Sequence, residues 1–186
     1  AKPIAPHLLM EIEFASGAIS KENICNGVTF KLRDADNSIL KNSIKQAEGR
    51  GARTGQLNPK NFQTSLFNLE ILNYSDLEKL FLWEEDMYKT IDTVYSILNS
   101  QIAIFHSENK DRWRDKKNNG SGPGVLQDIF MSGLLGVFDR IIMEVFKTNP
   151  KMTSDGFISE VKELTKEFSI NFKKELPHKK NKILDI

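Results

Sequence analysis

Residues 75–106, SDLEKLFLWEEDMYKTIDTVYSILNSQIAIFH, carry the pattern that decides the fold. Ser75 and Glu78 have the spacing of a capping box, in which each side chain accepts a hydrogen bond from the backbone N–H of the other residue. The stretch predicts a helix from 76 to about 106, roughly 45 Å long at a rise of 1.5 Å per residue. Its apolar face recurs at three- and four-residue steps and comprises Met87, Ile91, Val94, Leu98, Ile102 and Phe105.

Two shorter helices are predicted upstream of this stretch. Residues 36–48 fit a short helix that begins at a capping residue and ends before Gly49. Asn58 and Pro59 match an N-cap and the first helical position, and they open a segment that we expect to be helical over 59–72. Alternating apolar residues near the end of that segment also permit a strand.

Two longer helices are predicted downstream. Residues 125–146 are apolar nearly all round, as in a helix buried by its neighbours. A bilayer span is excluded because each charge at mid-membrane costs about 3 kcal/mol, and the segment contains Asp128, Asp139, Arg140 and Glu144. We expect another helix to pack closely against Gly133 and Gly136. A final helix covers 154–172, and its inward face is predicted to comprise Phe157, Val161, Leu164 and Phe168.

The N-terminal portion, residues 1–56, is predicted to be rich in strands and turns. Apolar and polar residues alternate over 8–14 and again over 28–33. Gly27 lies in the predicted connection between these two strands. An isolated pair of strands is marginally stable, so we expect it to pack on the helices. The predicted fold class is therefore mainly α, a helical bundle with a small N-terminal two-stranded β element.

Length and composition fit a single soluble domain. The 186 residues are 39% hydrophobic and include 12 Phe, enough for a substantial core. We expect one domain over 1–186, with the β- and turn-rich portion 1–56, a helical core 57–176 that contains a flexible linker at 108–124, and a basic tail 177–186. The 26 basic and 25 acidic residues give a net charge of +1, so binding to nucleic acid or anionic lipid requires a local patch.

The cysteine and histidine content excludes several kinds of site. A single cysteine, Cys25, excludes an internal disulfide and a cysteine-cluster metal site, and it indicates the cytoplasm or another reducing intracellular compartment. We interpret it as a small, partly buried residue rather than a nucleophile. His7, His106 and His178 lie far apart and are interpreted as surface or structural residues. Because the chain starts with Ala and without a signal-peptide pattern, we expect a processed product or a fragment.

Glu11 and Glu13 are the candidates for a catalytic site. Carboxylates two residues apart on a strand point the same way and can hold a divalent cation, as in metal-dependent nucleases and phosphodiesterases. Lys31 is then the candidate for the residue that orients the attacking water. A third acidic ligand has to come from Asp34 or Asp36.

A structural interpretation explains the same residues. Glu11 and Glu13 on the first strand can balance Lys31 and Arg33 on the second, which is ordinary chemistry between neighbouring strands. This interpretation is favoured, so no cofactor is predicted. A divalent metal belongs only to the nuclease alternative.

Residues 110–117 are the candidate for nucleic-acid contact. Trp113 lies between two arginines and beside a flexible link, the local chemistry of base stacking and phosphate contact. The candidate contacts are Lys110, Arg112, Trp113, Arg114, Lys116 and Lys117. Three nearby acidic residues weaken the basic field. The alternative is a helix end at which Trp113 folds back onto the bundle.

The sequence favours a non-enzymatic helical interaction module, meaning a subunit, adaptor or regulatory protein that docks a macromolecular partner. No phosphate-binding loop or nucleophile–base signature occurs in it. A protein partner is expected first, nucleic acid second, and no membrane span is predicted. The alternatives are a metal-dependent nuclease or phosphodiesterase and a nucleic-acid-binding accessory protein.

Overall fold

A computed structural model describes residues 19–45, 57–73, 87–110, 113 and 125–175. Of these residues, 78% are helical and none forms part of a strand. The helices of this part are α1 Ile19–Asp34, α2 Pro59–Phe67, α3 Met87–Glu108, α4 Asp128–Thr148 and α5 Ser154–Glu175, with a short 3-10 helix at Glu70–Leu72. The mainly helical fold class is thereby confirmed.

Residues 28–33 form the second half of α1, so the strand predicted there is wrong. Ile24, Val28 and Leu32 are fully buried and recur every four residues, which is helical spacing. Phe30, which made the sequence alternate, is 48% exposed. The portion 1–56 is therefore helical over a substantial part of its length. The other predicted strand, 8–14, lies outside the described residues.

Gly27 lies inside α1 and not in a connection between strands. A Cβ atom added there would lie 2.4 Å from Ile91 Cδ1 of α3 and 3.2 Å from Ile91 Cγ2. The missing side chain therefore lets α1 and α3 pack closely. This glycine has a packing role that the turn interpretation of the sequence missed.

The helix predicted over 36–48 is wrong wherever the structure describes that segment, because residues 36–43 form turns. Side chains of α3 hold these turns in place. The Tyr95 hydroxyl donates to Asn37 Oδ1 at 2.7 Å, and Asn99 Nδ2 donates to the Asn37 carbonyl at 3.0 Å. Long-range bonds therefore replace the local bonds of a helix.

Helix α2 begins as predicted, and its end differs. The Asn58 side chain accepts a hydrogen bond from the Lys60 N–H at 3.0 Å, with Pro59 at the first helical position. The helix stops at Phe67, and the 3-10 helix Glu70–Leu72 follows it. The predicted segment 59–72 is thus two elements rather than one.

A carboxylate of α4 holds the 3-10 helix Glu70–Leu72. The Glu70 N–H donates to Asp139 Oδ2 at 2.9 Å, and the Ile71 N–H donates to Asp139 Oδ1 at 3.0 Å. Burial raises the pKa of Asp139, and these two backbone bonds oppose the rise. Asp139 is therefore a buried cap for an element 69 residues earlier in the chain.

Helices α3 and α5 run parallel. Gln101 Nε2 lies 3.1 Å from Thr165 Oγ1, and further along both helices the ring centroids of Phe105 and Phe172 are 5.2 Å apart. Residue numbers thus rise together along the two helices. Their C-terminal ends lie side by side.

Helix α4 runs opposite to α3 and α5. Phe130, near its start, packs against Phe105 with 6.2 Å between ring centroids. Phe138, two turns later, accepts a hydrogen bond from Gln101 through its carbonyl at 3.4 Å. Residue numbers therefore rise along α4 as they fall along α3, and the start of α4 lies beside the ends of the other two helices.

The side-chain pattern predicted for these three helices is largely confirmed. All the predicted stripe residues of α3 from Ile91 onward are buried, Leu134 of α4 is 4% exposed, and the predicted face of α5 packs on the core. The capping box at Ser75 lies outside the described residues. None of the described helices is long and apolar enough to cross a membrane.

The close packing predicted at Gly133 and Gly136 is wrong. Among the residues that the structure describes, no atom lies within 4 Å of a Cβ atom added at either position. As far as the described residues go, one face of α4 is therefore open, and Ile129 on its first turn is 89% exposed. Because residues 125–146 are apolar nearly all round the helix, the sequence did not distinguish this face of α4 from the buried one.

Candidate functional site

An aromatic cluster covers the end of the bundle at which α3 and α5 stop and α4 begins. Phe105 lies fully buried beneath it. The ring centroid of Phe105 lies 5.2 Å from that of Phe172, 6.0 Å from that of Phe168 and 6.2 Å from that of Phe130, distances typical of favourable ring pairs. We call this surface the aromatic end and define it by His106, Trp113, Ile129, Phe130, Phe168 and Phe172.

The outer members of the aromatic end are only partly covered. Phe130, Phe168 and Phe172 are half-buried, and Ile129 is 89% exposed. The half-exposed rings lie at one end of the bundle, and the exposed aliphatic side chain lies on the same first turn of α4 as Phe130. Such apolar surface is one from which a partner can exclude water. Phe168 was predicted on the inward face of its helix, whereas the other two rings and Ile129 were not predicted as part of a site.

Trp113 lies against the bundle, as the structural interpretation of residues 110–117 expected. Its ring meets His106 edge-on, with 4.9 Å between centroids and an angle of 81°, and it is half-buried. Burial lowers the pKa of His106, and the positive charge of Lys110 lowers it further. Stacking of a nucleic-acid base on Trp113 stays a prediction. Part of the ring is covered by the bundle, so only the remaining part is accessible to a base.

Exposed lysines surround the aromatic end. Lys110 follows α3, and Lys173 and Lys174 lie in the last turn of α5. Positive side chains at these positions offset the partial negative charge of the helix C-termini. The other four predicted contacts, Arg112, Arg114, Lys116 and Lys117, lie outside the described residues.

The parallel course of α3 and α5 relates two basic stretches of sequence. Residues 112–117 follow the end of α3, and 178–182 follow the end of α5. The described residues just before these stretches, Lys110 and Lys174, therefore lie at the same end of the bundle. From sequence alone, no spatial relation between them could be derived.

The residues proposed for a metal-dependent active site are only partly described. Glu11 and Glu13 lie outside the described residues. Lys31 lies on α1, and its ammonium pairs with the Asp92 carboxylate of α3. The sequence predicted that Lys31 pairs with the two glutamates across neighbouring strands. This prediction is wrong, because Lys31 belongs to a helix.

The proposed third metal ligands already have basic partners. Asp34 accepts hydrogen bonds from the neighbouring Arg33 guanidinium, which lowers the pKa of that carboxyl. Asp36 pairs with Lys41. Within the described ranges, no group of three His, Cys, Asp or Glu side chains is arranged to hold a metal ion.

Cys25 is a buried thiol on α1. Its side chain belongs to the hydrophobic core, and the residue is 2% exposed. Burial raises its pKa to about 12, so the thiol stays protonated at neutral pH. The sequence predicted a small, partly buried residue, and its burial in the structure is nearly complete.

A second candidate region is a groove between α3 and α5, nearer their N-terminal ends. Its volume is about 70 Å³, and residues of both helices line it, among them Ser100, Gln101, Val161 and Lys162. The sequence analysis missed Gln101. A signal was present in its position, since Gln101 lies three residues after Leu98 and four before Phe105, on the apolar face of the predicted helix. The structure shows this residue fully buried.

Comparison with known protein families, curated proteins and solved structures finds no match to this chain. A functional proposal therefore depends on the geometry of these two regions. The aromatic end offers a contact surface for a large molecule. The groove offers room for a small one.

Proposed function

We propose that the protein is a non-enzymatic helical interaction module, a subunit, adaptor or regulatory protein, whose aromatic end docks a protein partner. The observation that supports this proposal is the group of three half-buried phenylalanines at the end of the bundle where α4 begins, with Ile129 89% exposed on the first turn of α4. Large apolar and aromatic side chains that become buried supply most of the binding energy of protein interfaces. Lys110 and Lys174 lie at the rim, where polar residues are expected.

The fixed position of the rings favours association. Phe130, Phe168 and Phe172 are each packed against Phe105 without a partner present. Side chains that are already ordered lose little conformational entropy on binding. The complementary partner presents an apolar patch with acidic residues around it.

The test uses a photoreactive benzoylphenylalanine in place of Ile129. A matched control carries it in place of Tyr88, another large exposed side chain, which lies at the opposite end of α3 and is 72% exposed. We expect light to capture a discrete protein species in native cells from position 129 only. With that partner purified, we expect Ile129→Asp to weaken binding about tenfold or more, equivalent to about 1.4 kcal/mol.

Equal capture from both positions contradicts the proposal. So does unchanged affinity of the Ile129→Asp variant for the purified partner. Circular dichroism of the variant serves as the folding control, since Ile129 contributes little to the core.

A nucleic-acid-binding accessory role is the second candidate, and one observation favours it. The parallel helices bring exposed Lys110 and Lys174, the described residues that precede the two basic stretches in the sequence, to the same end of the bundle. We expect Lys110→Glu with Lys174→Glu to abolish binding of a fluorescent single-stranded 20-mer, and Lys147→Glu with Lys151→Glu, at the far end of α4, to leave it unchanged. Removal of one phosphate-binding lysine lowers the salt-dependence slope by about 0.7. Absence of binding by the parent at low salt eliminates this candidate.

The metal-dependent nuclease or phosphodiesterase is the remaining alternative, and it is tested through its glutamates. We expect millimolar Mn²⁺ to leave the melting temperature of the parent unchanged, because Lys31 is paired with Asp92 and no described residue supports a metal site. A bound metal stabilises the folded state by RT ln(1 + [M]/Kd). A shift of several degrees in the parent that is absent from the Glu11→Gln, Glu13→Gln double variant favours the nuclease instead.

A further inference from the structure

The buried face of α5 changes its chemistry halfway along the helix. Its fully covered positions recur every four residues and are Phe157, Val161, Thr165 and Ser169, each no more than 3% exposed. The first two are apolar, and the last two carry hydroxyls. Beyond Val161, every apolar side chain of α5 is only partly buried. Burial of apolar surface therefore holds the first half of α5 more firmly than residues 165–175.

The two hydroxyls of the second half bond to their own helix. Thr165 Oγ1 donates to the Val161 carbonyl at 2.7 Å, and Ser169 Oγ donates to the Thr165 carbonyl at 2.6 Å. Because both bonds lie within α5, they contribute nothing to its attachment to α3 or α4. Hydroxyls that bond back to the preceding turn also destabilise a helix slightly.

Two buried amides at the α3 side of this contact are only half satisfied. Gln101 Nε2 donates to Thr165 Oγ1 at 3.1 Å, and Nδ2 of Asn109, which directly follows α3, donates to the Ser169 carbonyl at 3.2 Å. Both residues are fully buried, yet Gln101 Oε1 and Asn109 Oδ1 accept no hydrogen bond from any residue that the structure describes. A buried acceptor without a donor is destabilising, and exposure to water relieves it. Opening of residues 165–175 supplies that exposure.

Aromatic contacts oppose the opening. Phe168 and Phe172 pack on Phe105 with 6.0 and 5.2 Å between ring centroids, and ring pairs of this kind are favourable. The segment that carries these two rings, residues 168–172, consists of Phe, Ser, Ile and Asn, which all have lower helix propensity than Ala, Leu, Lys or Glu. Ring contacts thus stabilise the docked position of residues 165–175, while buried polar groups and local propensity oppose it.

We propose that residues 165–175 are a strap that opens from the bundle as a unit while the rest of the fold stays intact. Closed, the strap supplies Phe168, Phe172 and Lys174 to the end of the bundle; open, it removes all three. Segments with little buried apolar surface open at a smaller free energy than the whole domain. The opening is a property of the chain alone. Its regulatory consequence, that a bound partner holds the strap closed, rests on the function proposed for the aromatic end.

Native-state hydrogen exchange of the purified protein, followed by NMR at low urea concentrations, tests the opening. We expect the amides of residues 165–172 to share one opening constant, at least about tenfold larger than that of the amides of 158–161 and of the buried residues of α3. We also expect this constant to depend little on urea, because local opening exposes little surface. Protection that rises turn by turn from Glu175 inward indicates ordinary fraying and overturns the inference. An opening constant equal to that of the whole domain also overturns it.

A double variant connects the opening to the buried polar groups. Gln101→Met with Thr165→Val replaces an amide and the hydroxyl it bonds by apolar groups of similar size, and we expect it to make the opening at least about tenfold rarer. Thr29→Val is the matched control, because Thr29 of α1 is also buried and bonds back to the Cys25 carbonyl at 2.7 Å. We expect this control to leave the exchange of residues 165–172 unchanged.

The two proposals fail separately. An opening that is as frequent in the double variant as in the parent overturns the role of the buried amides in the strap. If the double variant does not fold, the exchange pattern of the parent still decides whether the strap opens as a unit. None of these measurements involves a partner, so they leave the docking proposal for the aromatic end to the photocapture at position 129.

Discussion

A methyl group added at Gly27 would overlap Ile91 of α3, whereas one added at Gly133 of α4 would contact none of the described residues. Ala is favoured over Gly inside a helix by about 1 kcal/mol, but overpacking costs about 1–3 kcal/mol. We expect Gly27→Ala to lower the free energy of unfolding by about 1 kcal/mol, and Gly133→Ala to raise it by about 0.5–1 kcal/mol. Urea denaturation measures both changes. Stabilisation by Gly27→Ala contradicts the close contact of α1 with α3.

The buried carboxyl of Asp139 makes the free energy of unfolding depend on pH, and the direction of its pKa shift gives the sign of that dependence. Its pKa is raised above the ordinary value of 3.8, chiefly by burial. The folded state therefore holds this proton more tightly than the unfolded chain, and the contribution of Asp139 to stability falls as the pH rises from 3.8 through the raised pKa. Asp139→Asn lacks this titration.

We expect the stability of Asp139→Asn relative to the parent to increase between pH 4 and 7, as measured by urea unfolding at each pH. The absolute level also reflects the loss of one acceptor for the Glu70 and Ile71 N–H groups. A relative stability that decreases with pH indicates that the two backbone bonds dominate and that the pKa is lowered.

The roles of single residues were the hardest to predict from the sequence. Gly27 was predicted to be a turn residue and Gly133 a packing residue. Both predictions were wrong, because the role of each glycine depends on what a distant helix places next to it. Asp139 was read only as a charge that interrupts an apolar segment. Cys25, whose chemistry depends mainly on its own burial, was predicted correctly.

At the scale of elements, α4 has a buried and an open face, and substitutions on the two faces separate their roles. Leu134 is 4% exposed, while Ser132, two residues earlier, is exposed. An unpaired charge at Leu134 costs several kcal/mol against a total stability of about 5–15 kcal/mol. We expect Leu134→Asp to abolish the cooperative melting transition and Ser132→Asp to preserve it, as followed by circular dichroism. A normal transition in Leu134→Asp shows that α4 is peripheral.

Periodicity predicted the long helices well and the short elements poorly. Helices α3, α4 and α5 each repeat their apolar spacing over five or more turns, so local pattern and packing agree. Residues 28–33 permit both a strand and a helix, and the contact of α1 with α3 decides between them. The turns at 36–43 depend on Tyr95 and Asn99, side chains that no local pattern connects to them.

At the scale of the whole molecule, the direction of the helices determines the candidate interaction surface. Lys110 and Trp113 were predicted from their local sequence, whereas Ile129 and Phe172 join them only because α3 and α5 are parallel and α4 is antiparallel. Bonds between residues more than 60 positions apart, such as that between Gln101 and Thr165, fix these directions. No periodicity in the sequence carries that information.

The parallel course of α3 and α5 is the central claim, and the distance between spin labels tests it most directly. One double variant is Lys110→Cys with Lys174→Cys, which labels the C-terminal end of α5. Its matched control is Lys110→Cys with Ser154→Cys, which labels the N-terminal end of α5. All three positions are exposed, while Cys25 is buried as a thiol and stays unlabelled.

Because the 22 residues of α5 span about 30 Å, we expect the 110–174 pair to give a distance of about 15–25 Å and the 110–154 pair one of about 30 Å or more. Electron–electron double resonance measures both distances. A 110–154 distance shorter than the 110–174 distance shows that the helices are antiparallel and contradicts the aromatic end as described.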